Sequence, residues 1–354
     1  MLQYESLKHV IQYMSIGSRT NLRRRCPSLR VTESLFPLRI NHLEFSENSI
    51  TINQAKYYFC TVFCLEDPHR KIDYTEIMWD LNDRYAVEIR AISPGDLLLK
   101  IAGLIRVDMP CSIEQMECRK KYIKLTLSTK YVKYLEDTSI RKCLKTVAEK
   151  FLGGKKDSIK VDKLVVSMRH GGIRLPENLK LHVGHLKIYD PIHLTTISSI
   201  LDPKSLDSID LIATPDDPVF QHDLTKTAKI LKFHASTSER SWLDTLLNLD
   251  NDQIQIDSNK PILNAEDTVT LVENWVNSDR KAGSSLHMIT NEGIMREVCD
   301  LLENRIVAGS AALQRSIGFL DHIIIPMGKC LELTLDRAPS DRINKTYTFT
   351  IKVL

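Results

Sequence analysis

No apolar run in this 354-residue sequence approaches the ~20 residues needed to cross a bilayer, so no transmembrane helix is expected. Excess charge is scarce too. The formal net charge is only +3, which gives electrostatics no case for nucleic acid or an anionic membrane as partner. Glycine-rich phosphate cradles are missing: Gly153-Gly154-Lys155-Lys156 has neither the spacing nor the hydroxyl of a P-loop. G-x-S-x-G, H-E-x-x-H and G-x-G-x-x-G do not occur, so there is no nucleophile elbow, zinc-protease helix or dinucleotide turn to read. The eight cysteines, Cys26, Cys60, Cys64, Cys111, Cys118, Cys143, Cys299 and Cys330, are scattered without a repeated paired spacing, as free buried thiols are.

Two metal-like spacings turn out weak on inspection. Cys60 and Cys64 sit in an alternating strand-like run where they share a face as core side chains, without the second ligand pair that a closed zinc site needs. His182 and His185 lie in Leu181-His182-Val183-Gly184-His185-Leu186, which reads as extended backbone, where residues three apart face opposite ways. No metal, no cofactor and no catalytic residue is therefore expected, and the chain is read as a non-enzyme.

What is present is an ordinary globular balance, 43% hydrophobic and 26% charged residues, over a length that allows two or three domains. The first residues are polar and charged where a signal sequence has its apolar core, so the expected compartment is the cytoplasm or nucleus. Leu7, Val10, Ile11 and Met14 fall at i, i+3, i+4 and i+7, which makes one face of a short helix apolar. A break at Ser15 to Ser18 leads into a basic segment with Arg19, Arg23, Arg24, Arg25 and Arg30. Without interleaved aromatic platforms, that run reads as a solvated helix face or a patch for an acidic partner.

The expected fold class is α+β: a short N-terminal helical hairpin (1–36), a mainly β region built as a meander (37–137), a degenerate leucine-rich-repeat-like β-α array (138–306), and a C-terminal β-hairpin (307–354). Alternation at Pro37 to Phe45, Ser49 to Asn53 and Lys56 to Phe63 supports the meander. Surface loops are expected from Glu66 to Asp96 and strands again at Leu97 to Val107 and Tyr122 to Leu127. Thr138 is expected to cap a helix with Ile140, Leu144, Val147, Ala148 and Phe151 on one side, ended by Gly153-Gly154. Short apolar cores then recur at Leu164, Leu186, Ile209, Ile230 and Ile254, at spacings of about 22, 23, 21 and 24 residues. In such arrays each β-α unit leans on its neighbours and the strands present one extended surface. Lys163, Lys187, Asp210, Lys232 and Gln255, next to the apolar strand residues, are expected to form an outward row that binds a target protein.

The opening residues resemble the start of an F-box, roughly L-P-x-E-x-L-x-x-I-x-x-x-L followed by a basic helix. Leu2, Glu5, Leu7, Val10 and Met14 stand where that pattern wants them; Gln3 replaces its proline, and Leu29 stands near its tryptophan. Tyr4-Glu5-Ser6-Leu7-Lys8, Arg25-Cys26-Pro27-Ser28-Leu29-Arg30, Pro37-Leu38 and Ser93-Pro94-Gly95-Asp96 are similar to a nematode-expanded family of F-box-like proteins of unknown function. Trp242-Leu243 with Leu246-Leu247, and Val272-Glu273-Asn274-Trp275, resemble its F-box-associated region. The resemblance implies that Leu2, Glu5, Leu7, Val10 and Met14 contact a Skp-family adaptor of a cullin-RING ubiquitin ligase while the repeat region captures a target. Two other readings stay open: a scaffold outside any ligase whose N-terminal helices pack inward, and, more remotely, an enzyme with a dispersed site.

Overall fold

The computed structural model describes the chain except residues 1–3, 35, 65–92, 99–110, 115–120, 128–130, 136–137, 155–158, 169–170, 237–240, 308–313, 316–321, 328 and 338–345. Two compact units divide it, Met1–Leu206 and Asp207–Leu354. The fold class is α+β.

The first unit begins with two helices where the hairpin is expected, Tyr4–Tyr13 and Ile16–Arg25, followed by a short helix at Arg30–Ser34. Its strands are β1 (Arg39–Ser46), β2 (Ser49–Ile52), β3 (Ala55–Cys64), β4 (Leu97–Leu98), β5 (Cys111–Glu114), β6 (Lys121–Leu127), β7 (Tyr131–Leu135), β8 (Ile159–Val166), β9 (Gly172–Ile173) and β10 (Leu181–Ile188). They form a mixed sheet in the order β7-β6-β3-β2-β1-β8-β10, with β5 beside β3 and β4 paired separately with β9. The meander is as expected, and Asn53 turns its second hairpin, between β2 and β3, with φ 55°, a left-handed conformation that asparagine tolerates. Strand character expected through Val107 is described only at Leu97–Leu98; residues 99–110 lie outside the described set.

The Ile140–Leu152 helix buries Ile140, Leu144, Val147, Ala148 and Phe151, the face its spacing predicts, and Phe151 meets the Tyr57 ring at 5.3 Å. Burial also pushes the Tyr57 hydroxyl above its usual pKa. Ser139 rather than Thr138 is the cap, accepting the Lys142 N–H at 3.2 Å, while Thr138 contacts Cys143 instead. The helix ends at Gly153, where any Cβ would sit 2.5 Å from the Glu149 carbonyl, and Gly154 follows in the left-handed region at φ 66°.

The second unit contains β11 (Ser208–Ala213), β12 (Ile230–Ala235), β13 (Gln253–Asp257), β14 (Ser285–Asn291), β15 (Gln314–Arg315), β16 (His322–Met327), β17 (Lys329–Arg337) and β18 (Thr346–Val353). β11 to β14 run parallel in chain order, and β14-β18-β17-β16-β15 continue antiparallel, including the expected C-terminal pair. Parallel neighbours need crossover segments. Here these carry the Asp223–Thr227, Leu243–Leu247 and Ala265–Asn277 helices, whose Leu224, Leu246 and Val269 are buried. Phe233 of β12 stacks on Trp242 at 5.1 Å, with Phe220 edge-on to both. Arg280, pushed below its usual pKa by burial, lies over the Trp275 ring at 4.1 Å and donates to the Asn251 and Leu249 carbonyls.

The repeat is more regular than the sequence reading allows. Buried residues recur in one frame, apolar-x-x-apolar-x-apolar: Ile40, Leu43, Phe45; Val161, Leu164, Val166; Val183, Leu186, Ile188; Leu206, Ile209, Leu211; Ala228, Leu231, Phe233. In the repeat of β13 the first place, two residues ahead of the strand, is taken by Asn251, 2% exposed, whose amide donates to the Thr225 and Ala228 carbonyls at 2.8 and 2.7 Å. Three Asp-Pro pairs open turns between strands. Asp190, Asp202 and Asp217 each accept an N–H two residues on, from Ile192, Lys204 and Val219, and the following proline starts a 3-10 turn.

Candidate partner-binding site

On the first helix, Ile11 is fully buried, Leu7 and Met14 are half-buried, and Val10 and Tyr13 are 50% and 83% exposed. The stripe is thus split: one member anchors the helix inward, and an apolar pair remains on the surface. Leu2 lies outside the described residues, and of Glu5 only its place in the helix is described. Val31 of the third helix adds a further exposed apolar side chain, 73% exposed.

The basic segment behaves differently from the solvated face its sequence suggests. Arg19 is 3% exposed and reaches the 1%-exposed Glu33, donating from Nε to Oε1 at 2.9 Å. Its remaining N–H groups donate to the Glu33, Phe36 and Pro37 carbonyls at 3.0, 2.8 and 3.1 Å. Arg19 therefore staples the hairpin to the chain entering β1. Arg23 bonds the Gly153 and Gly154 carbonyls beyond the end of the Ile140–Leu152 helix, and among the described side chains of the run Arg24 and Arg25 are exposed.

In the second unit, Asp210, Lys232 and Gln255 occupy one register row across β11, β12 and β13. The row continues to His287 and Thr350, which the sequence reading did not include. His287 is held at both ring nitrogens, Nδ1 by the Thr350 hydroxyl at 2.9 Å and Nε2 by the Ser285 hydroxyl at 3.2 Å. Beside it, His234 Nδ1 meets Asp257 Oδ2 at 3.0 Å. Asp210, Lys232, His234, Gln255, Asp257 and His287 line a groove of about 420 Å³, with the buried strand residues Phe233, Ile256 and Met288 between them. Such a strip of charged and amide groups over a rigid sheet suits recognition of a polar polypeptide surface.

In the first unit, Lys163 pairs with His42 and His185, whereas Lys187 lies level with Val165 and Glu44, two residues further along. The two lysines share a sheet but not a row. Val183 and Leu186, three apart, are both buried, so β10 does not alternate strictly and His182 and His185 are both half-exposed, contrary to the opposed faces that simple alternation predicts. The cause is an unpaired residue in each strand, Asn41, Asp162 and Gly184, skipped together in both registers. His182 bonds Asp202 at 2.9 Å. Cys60 is buried with Tyr58 and Tyr134 packed on it, and the side chain of Cys64 is outside the described set. Among the described residues no cluster of histidine, cysteine and carboxylate ligands could hold a metal, and no helix is long and apolar enough to cross a membrane.

Strand arrays that bury one face and present polar rows on the other, with a helical block ahead of them, define a class of α+β proteins of repeat-like construction. Within the chain, residues 139–291, from the Ser139 cap to the last residue of β14, match the family described as Domain of unknown function (DUF3557). No curated protein and no solved structure matches the chain.

Proposed function

We propose that this chain is a protein-interaction subunit, an F-box-like substrate receptor of a cullin-RING ubiquitin ligase. Its N-terminal helices engage a Skp-family adaptor, and the Asp210–Lys232–Gln255–His287 row captures the target. The observation that carries this reading is the exposure of Val10 and Tyr13 beside a fully buried Ile11. A helix so anchored keeps its apolar surface in place for a partner, and exposed apolar clusters mark contact sites. The F-box-like placing of Leu7, Val10 and Met14 supports the choice of partner.

The test is co-purification with a Skp-family adaptor. Val10→Asp is expected to leave the thermal midpoint nearly unchanged, because exposed substitutions stay within ~0.5 kcal/mol. It should nevertheless cost at least ~2 kcal/mol of adaptor binding, about thirtyfold in affinity. Complete burial of Ile11 favours the second reading, a scaffold whose helices only pack internally. Wild-type protein that brings down no adaptor decides for that scaffold.

Target capture is tested separately. Lys232→Glu together with Gln255→Lys should leave folding intact, since both side chains are half-exposed. Proteins cross-linked to wild-type chain in cells should be depleted from the double variant. An unchanged cross-linked set moves the target site off this row.

A further inference from the structure

We infer that the face formed by β1, β8 and β10 binds an acidic polypeptide segment; this deepens the reading of the strand faces as capture surfaces and rests on it. Two register rows there are rich in cations and imidazoles, Arg39–Lys160–His182 and His42–Lys163–His185. Lys187 stands in the next row along. The shared skip at Asn41, Asp162 and Gly184 makes this density: it turns both rows outward although they are three residues apart, where strict alternation would bury one of them. Gly184 lets the strands stay close at the skip, since a Cβ there would lie 3.2 Å from the Asp162 carbonyl.

The charges on this face do not cancel. Glu44 meets His42 at 3.5 Å and accepts from the Ser167 hydroxyl at 3.1 Å, while Asp162 meets Arg39 at 3.5 Å. Lys160 and Lys163 are exposed and form no ion pair with any described residue. Four permanent cations, Arg39, Lys160, Lys163 and Lys187, thus stand against three carboxylates, those of Glu44, Asp162 and Asp202, the last 2.9 Å from His182, on one small surface. Neighbouring strands lie about 4.8 Å apart, so each row of three spans ~10 Å, the reach of three extended residues. A short run of aspartate or glutamate matches that length and that charge. Carboxylates set among the cations suit a chain whose acidic residues are spaced.

The experiment uses the full chain and a fluorescein-labelled peptide of alternating glutamate and serine, read by fluorescence anisotropy. Wild-type protein is expected to bind, more weakly as salt rises. Lys160→Glu with Lys163→Glu should weaken binding at least about tenfold. Lys226→Glu with Lys281→Glu, exposed lysines of the second unit, should leave it unchanged. If the glutamate pair lowers the thermal midpoint, Lys160→Gln with Lys163→Gln replaces it, and a smaller but clear loss is expected. No binding by wild-type protein, equal binding by the Lys160/Lys163 variants, or tighter binding of a single-stranded RNA that displaces the peptide would each overturn the inference. Adaptor co-purification on the same samples separates the two ideas: adaptor binding without peptide binding removes this inference alone, and peptide binding without adaptor removes the ligase alone.

Discussion

Asp96→Ala is expected to destabilise the first unit by about 3–5 kcal/mol, the usual cost of stranding buried charge. The Asp96 side chain is fully buried between Lys145, at 2.9 Å, and Arg174, at 3.1 Å, themselves 15% and 4% exposed. Its oxygens also accept the Leu175 and Ser93 N–H groups at 3.1 and 3.0 Å. Lys145 further donates to the Pro94 and Leu175 carbonyls, so one carboxylate joins the Ser93–Asp96 turn, the Ile140–Leu152 helix and the segment after β9. Gly95 completes the junction: at φ 85° it passes the Pro176 carbonyl where a Cβ would stand 2.5 Å away. Urea unfolding should show the loss as a lower midpoint. Adding Lys145→Met to Asp96→Ala should recover part of it by removing one stranded cation. A loss below ~1 kcal/mol would mean that the group behaves as an exposed pair.

Ser93-Pro94-Gly95-Asp96 shows where local reading ends. Its composition announces a turn, and a turn it is, but the expected surface loop carries the fully buried carboxylate of Asp96. Partners 49 and 78 residues away decide that, and no local pattern names them. The strand cores, by contrast, were legible because each depends on its own spacing of apolar residues. The outward row was legible only in part. Asp210, Lys232 and Gln255 each follow the central apolar residue of the frame, as Lys187 does, whereas Lys163 precedes Leu164. That offset was present in the sequence, but it acquires meaning only once the frame is recognised, and the buried Asn251 in the frame's first place obscured it. His287 follows Leu286 in the same way and was missed because the irregular interval after Ile254 broke the period. On the first helix, spacing identified an apolar stripe but could not tell which member turns inward. Ile11 and Val10 are adjacent β-branched residues, and only the packing of the hairpin separates them.

That packing hangs on Arg19, and Arg19→Met is expected to release the N-terminal block at a local cost of about 3–5 kcal/mol. Methionine keeps the length of the stem but leaves Glu33 buried without its cation, and the Glu33, Phe36 and Pro37 carbonyls lose their donor. A hairpin of two ten-residue helices has too little apolar contact to hold without such a staple. Amide exchange should therefore accelerate across residues 4–34, while β8 and β10, further along the chain, keep their protection. Arg19→Lys should recover only part of the loss, because one ammonium cannot reproduce a planar fork that serves a carboxylate and three carbonyls at once. Under the ligase reading, adaptor capture falls in step with exchange protection through this series, since Val10 and Tyr13 are presented only while the block is docked. Unchanged exchange across residues 4–34 in Arg19→Met would show that Ile11 and its neighbours hold the hairpin by apolar contact alone, and adaptor binding would then be indifferent to the staple.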